Sequence, residues 1–203
     1  MHRVEFLNRL IEAFNYHTYL EIGVDRGACL EAIHAKLKAG VEPNPAIREV
    51  RIPGTMIFCG TSDDFFQVFH GPGFFDLVFI DGWHEHEQVY RDVTNSLDVL
   101  SAEGTIVLHD CNPTTEAMQH VPQQQGEWTG DCWKAIARLR MTRDDLVVSV
   151  LDTDYGLGIV RRGQSTRLAV SKRWNELTWN DFACDRERLL GLAPCSRCDQ
   201  FFI

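Results

Sequence analysis

Val4, Phe6, Leu7, Leu10, Ile11 and Phe14 recur at helical spacing, which predicts an amphipathic helix over residues 3–15. The apolar run at 18–24 predicts a strand, followed by a helix reaching about Lys38. KAGVEPNP (38–45) reads as a short strand stopped by Pro43 and Pro45. TMIFCGT (55–61) predicts another strand, with Ser62 capping the helix begun by SDDFFQVF. FFDLVFID (74–81) is almost continuously apolar, the pattern of a central parallel strand buried on both faces. Val89, Val93, Leu97 and Leu100 mark one side of a helix over 84–100, and GTIVLHD (104–110) is the next buried strand. Residues 111–130 carry no period and predict a long loop, a kind of segment that often serves as a lid or binding element. A helix over 131–141 precedes LVVSVLDT and YGLGIVRR, which pair as an antiparallel hairpin at the sheet edge, and the tail ends in a helix around 180–191. This alternation predicts an α/β fold, a doubly wound and mostly parallel sheet.

Composition narrows the class. The chain has 203 residues, 44% of them hydrophobic, enough to bury a core without metal or disulfides. We divide it into a domain at 1–162 and a C-terminal extension at 163–203 packed on the same domain. No stretch is long and apolar enough to span a bilayer, and acids interrupt the apolar residues of MHRVEFLNRLIEAF, unlike a secretory signal. A cytoplasmic location without a membrane partner is therefore expected. Lys and Arg total 20 against 29 Asp and Glu, a formal charge of −9. That balance argues against a nucleic-acid partner, whose phosphates need a basic face, and leaves a homo-oligomer open. Among seven cysteines, Cys195 and Cys198 form a CxxC with Cys184 upstream; no fourth zinc ligand is visible, and free thiols are expected.

HTYLEIGVDRGACLEAI (17–33) runs from strand to helix through a glycine-containing turn, where nucleotide-bearing cofactors commonly sit. The dinucleotide fingerprint needs a second glycine so that backbone can approach a pyrophosphate. Asp25 occupies that position, and its carboxylate would repel the phosphates. NAD is disfavoured.

Glu21-x-Gly23-x-x-x-Gly27 instead resembles motif I of the class I S-adenosylmethionine-dependent methyltransferases. The resemblance continues in order through Glu42 in GVEPNP, Ser62 and Asp63 in GTSDDFF, and FDLVFIDGWHEHEQVYRDV followed by GTIVLHD. That last pair is similar to the branch known as methyltransferase family 24 and, more distantly, to metal-dependent catechol- and sugar-type O-methyltransferases. It covers residues 17–162 and implies a Rossmann-like methyltransferase sheet with S-adenosylmethionine as cofactor. It also implies contacts from Glu21, Gly23 and Gly27 at the first turn, Glu42 on the ribose hydroxyls, and Ser62 and Asp63 beside the adenine. Asp25 departs from the usual middle glycine of motif I. A cationic sulfonium without phosphates suits an acid-rich pocket.

Ligands in such sheets bind outside the carboxyl ends of the strands, where Asp81 and Asp110 end two successive strands. In the metal-dependent relatives, acids at these strand ends hold a divalent cation. His109 and Asn112 are the candidates for a further ligand, Asn112 standing one residue later than that pattern implies. Two carboxylates and an amide oxygen suit Mg²⁺, whereas His109 would favour a softer metal. The bland alternative is that both acids cap helices and order loops. His84, three residues after Asp81, is the candidate general base, since imidazole titrates near neutrality. His86 is expected to face solvent, and Trp83 and Trp128 to wall the substrate. These features favour O-methylation of a small-molecule or sugar hydroxyl assisted by a divalent metal, with Asp81 and His84 as catalytic residues. The rivals are metal-free N- or C-methylation and a non-catalytic cofactor-binding module.

Overall fold

The most apolar run of the chain, FDLVFI, forms strand β4 (Phe75–Ile80) near the middle of one eight-stranded sheet. The computed structural model describes residues 1–203. The other strands are β1 (Thr18–Ile22), β2 (Leu37–Glu42), β3 (Thr55–Cys59), β5 (Leu100–Leu108), β6 (Leu146–Asp152), β7 (Leu157–Arg162) and β8 (Leu192–Pro194). Their order across the sheet is β3-β2-β1-β4-β5-β7-β6-β8. Strands β1 to β5 pair in parallel, while β7 runs antiparallel to both β5 and β6.

Side chains alternate across the sheet and fill a core on each face. Leu20, Ile22, Val78, Ile80, Ile106 and Leu108 enter one core, while Tyr19, Leu77, Phe79 and Val107 enter the other. The helices divide accordingly. Helices α3 (Ser62–Val68), α4 (His86–Val99), α5 (Trp133–Thr142) and α6 (Trp179–Leu190) cover the first face, and α1 (Arg3–Phe14) and α2 (Ala28–Ala32) cover the second. No helix is long and apolar enough to cross a membrane.

Three expectations change. The helix expected to reach Lys38 ends at Ala32, and Ile33 is already extended. The Lys38 ammonium instead donates to the open carbonyls of Leu30, Glu31 and Ile33, terminating the helix from outside. Ser62 is not the cap of α3. Thr61 fills that place, its hydroxyl accepting from the Asp64 N–H while the Asp64 carboxylate accepts from the Thr61 N–H. The antiparallel hairpin β6–β7 stands at the edge region of the sheet as expected, and the tail adds the short β8 parallel to β6 beyond it. The tail also contributes Phe182, Leu189 and Leu190 to the core that β4 and β5 enter. His86, expected in solvent, is half-buried and bonded to Asp131.

Candidate active site

The carboxyl ends of β1, β2 and β4 and the start of α3 border a cleft of about 780 Å³. Glu21, Gly23, Glu42, Ser62, Asp63 and Asp81 all line it. Gly27 stands just behind, starting α2 with φ +87°. The parallel register explains the convergence. Glu21 and Gly40 lie side by side in β1 and β2, and Ile22 and Ile80 in β1 and β4, so the strands end at one level.

Glu42 holds the turn of β1 into α2. One carboxylate oxygen accepts from the Val24 and Asp25 N–H groups at 3.1 and 2.9 Å, and the other from Asn44 N–H at 2.9 Å. Glu21 is buried, and the Tyr19 hydroxyl donates to it at 2.5 Å. Burial raises its pKa to about 7, despite that hydrogen bond. On the other wall, the Gln88 amide nitrogen faces three acceptors: Ser62 Oγ at 3.2 Å, Asp63 Oδ1 at 3.3 Å and Asp92 Oδ1 at 3.0 Å. Asp92 is buried, its second oxygen has no partner, and burial raises its pKa to about 6.

Beyond β4 the cleft meets a cluster of charges. His84 lies in the loop before α4, with Nε2 3.4 Å from Asp81 and Nδ1 3.3 Å from Asp110. The second approach is off line, so Nδ1 is buried without a hydrogen bond. Trp128 stacks on the His84 ring at 5.1 Å. Behind it, a Cβ on Gly130 would lie 1.7 Å from the His84 carbonyl oxygen, so only glycine lets the loop pass. Trp83 lines the cleft and is 62% exposed.

His109 sits deeper. Its Nδ1 is 3.3 Å from Asp81 and 3.2 Å from Asp110, and its Nε2 is 2.7 Å from Arg3 Nη1. A guanidinium can only donate, so in the neutral ring Nε2 accepts from Arg3 and the proton sits on Nδ1, facing the aspartates, while a second proton on Nε2 would have to displace the Arg3 contact. Burial would lower the His109 pKa, but the carboxylates of Asp110, Asp154 and Asp81 outweigh it and raise it. Burial likewise opposes ionisation of Asp81, yet hydrogen bonds from His109 and His84 hold it well below the usual carboxylate range. Asp110 itself takes the left-handed conformation, φ +59°, which costs a non-glycine residue about 1–2 kcal/mol. Such strain persists where surrounding structure over-determines it, commonly at functional sites.

The compact group of donors here is Asp81, His84 and Asp110, whose ligating atoms lie within 4.8 Å of one another. The Asn112 amide nitrogen donates to Asp152 at 3.0 Å, and its Oδ1 is buried without a hydrogen-bond partner. His109 is committed to Arg3 and the aspartates. The structure thus brings His84, expected as the base, beside the two acids expected to hold the cation.

A family described as a methyltransferase domain matches residues 20–111, the span from β1 through Asp110. Over that span the chain is similar to methyltransferases. Solved methyltransferases share its fold. An SAH-bound methyltransferase from Podospora anserina is 18% identical with a TM-score of 0.62, aligning 80% of this chain and 78% of its own. An O-methyltransferase from Bacillus cereus in complex with SAH is 15% identical with a TM-score of 0.60, over 79% and 80%. TomG of Streptomyces achromogenes, an O-methyltransferase in complex with SAM, is 14% identical with a TM-score of 0.58, over 77% and 78%. No curated protein sequence matches the chain.

Several residues in and around this cleft escaped the sequence reading. Arg3 lies outside every motif, and Gln88 and Asp92 lie within FDLVFIDGWHEHEQVYRDV with no role assigned to them. Asp131 has none either, yet it receives both the His86 N–H and the His86 ring, at 2.8 and 2.7 Å. Asp92 alone gave a signal, an acid on the apolar side of α4 beside Val89 and Val93.

Proposed function

We propose that this protein is an S-adenosylmethionine-dependent methyltransferase acting on a hydroxyl oxygen of a small molecule or sugar, with Asp81 and Asp110 holding a divalent cation and His84 taking the substrate proton. The convergence of Asp81, His84 and Asp110 at one end of the cofactor cleft carries this reading. Residues 1–162 form the catalytic domain, and 163–203 an extension that completes its sheet.

The residues fit a cation. Two carboxylates come together at adjacent strand ends, and the His84 Nδ1 beside Asp110 is buried with no hydrogen bond. A lone pair facing a carboxylate is unfavourable unless a proton or cation lies between them. Carboxylates with an imidazole suit Mn²⁺ as well as the hard Mg²⁺. Such an ion would acidify and orient the acceptor hydroxyl. The chain's own residues do the rest. Glu42 receives the ribose hydroxyls, Ser62 and Asp63 border the adenine, and Gly23 and Gly27 let the turn approach the cofactor. Glu21 turns its acid toward the positive end of the cofactor. Trp83 and Trp128 exclude water around the acceptor, and His84 removes its proton.

A second arrangement has its own support: the unpartnered Nδ1 favours His84 as the third ligand, leaving no ring nitrogen for base chemistry. One experiment tests both. Mn²⁺ binding and methyl transfer to a panel of small hydroxylated acceptors are measured for the wild type and His84→Ala, with and without EDTA. A base predicts unchanged Mn²⁺ affinity and a rate lowered about 10²–10⁴-fold. A ligand predicts that both fall together. Full turnover in EDTA would remove the cation from the mechanism.

A further inference from the structure

We propose that Arg3, at the start of α1, receives the α-carboxylate of the amino-acid end of S-adenosylmethionine. The inference rests on the cofactor assignment and adds a residue that no motif marks.

The cleft poses an electrostatic problem. Glu21, Asp25, Glu42, Asp63 and Asp81 line it, against the cations Arg3 and Arg26. The sulfonium and ammonium groups of the cofactor suit those acids. Its carboxylate does not, and without a cation it would be repelled along most of the wall. Arg26 is exposed, where water screens its charge, whereas the Arg3 side chain is 28% exposed.

Arg3 is also fixed in place. Its backbone N–H donates to Asp154 at 2.8 Å, and Nη1 reaches both Asp154 oxygens at 3.3 Å and His109 Nε2 at 2.7 Å. Nε stands 3.9 Å from Asp81. Nη2 donates to nothing in the structure, so a guanidinium held on one side keeps donors for an anion on the other. The tail anchors the helix that carries it. Phe6 packs against Phe201 and Phe202, and Arg9 pairs with Asp199 at 2.7 Å. Holding the guanidinium before the ligand arrives lowers the ordering cost of binding.

Its place in the sheet agrees. Ser62 and Asp63 follow β3 and Glu42 ends β2, so the adenosine side lies toward that edge. Arg3 contacts Asp81 after β4 and His109 after β5, the opposite end of the same cleft. A cofactor with its ribose at Glu42 directs its amino-acid portion toward Arg3.

Calorimetry with S-adenosylhomocysteine and with its analogue lacking the α-carboxylate tests this. The wild type should prefer the intact ligand by about tenfold or more, the scale of a charge-assisted hydrogen bond. Arg3→Met should lose that preference by weakening the intact ligand alone, the unchanged analogue affinity showing that the cleft is still folded. Arg3→Lys should recover part of it. Equal weakening of both ligands would make Arg3 a structural residue and overturn the proposal. Loss of the preference in Arg26→Met, and not in Arg3→Met, would do the same. A wild type that binds neither ligand would overturn the cofactor assignment itself, and this inference with it.

Discussion

A Cβ on Gly23 would lie 2.1 Å from the backbone carbonyl oxygen of Asp81. Motif I and the first acid of the charged cluster are thus in backbone contact, across the seam where β1 and β4 diverge. Gly23 also has φ +87°, so alanine there meets both a clash and a strained conformation. The Gly23→Ala variant should lose about 1–3 kcal/mol of stability from the backbone alone. It should also bind S-adenosylhomocysteine too weakly for calorimetry while keeping its far-UV circular dichroism. Wild-type affinity in the variant would show that the seam can open without disturbing the cleft.

Glu42 has two tasks that substitution can separate. It fixes the Val24 and Asp25 N–H groups, and it is proposed to receive the ribose. Glu42→Ala should weaken S-adenosylhomocysteine by about 1–3 kcal/mol, the range for charge-assisted hydrogen bonds. Comparison with the 2′,3′-dideoxy analogue tells which task dominates. If the ribose contact does, the analogue should bind wild type and variant alike.

Asp92 links stability to pH. Burial raises its folded-state pKa to about 6, above the unfolded value of about 3.9. A raised carboxyl favours the folded state while protonated. Its contribution is therefore complete below about pH 4 and is lost as pH rises through about 6. Asp92→Asn keeps an acceptor for Gln88 and removes the buried charge. Denaturant titrations should find this variant more stable than wild type by about 1–3 kcal/mol at pH 7.5, with the gap closing by pH 4. A gap independent of pH would mean that Asp92 does not titrate in this range.

Glu21 should couple cofactor binding to protons. Its pKa of about 7 leaves it partly protonated in the free protein at neutral pH. A cationic amino-acid end beside it favours the ionised form, so binding should release protons near pH 7. Calorimetric enthalpies in buffers of different ionisation heat measure this directly. Glu21→Gln should abolish the dependence on buffer, and a wild type without it would place the ligand's cation elsewhere.

The sequence by itself determined the order of strands and helices through β7, because burial on both faces of a parallel sheet leaves apolar runs such as FDLVFI in the chain. It also determined the motif positions Glu21, Gly23, Glu42 and Asp81, since a parallel sheet brings strand ends to one level wherever the strands run. The helix expected to reach Lys38 and the cap expected at Ser62 differ in the structure because competing partners, Lys38 and Thr61 with Asp64, act through side-chain hydrogen bonds that periodicity does not register. The tertiary structure alone decided who faces whom at the charged cluster. Arg3 meets His109 across 106 positions of sequence, Asp131 meets His86 across 45, and Asn112 turns to Asp152 across 40. Those choices leave His84 beside both aspartates. They depend on how α1, the loop before α5 and the β6–β7 turn pack over the strand ends, and hydrogen bonds between such distant segments leave no period in the sequence.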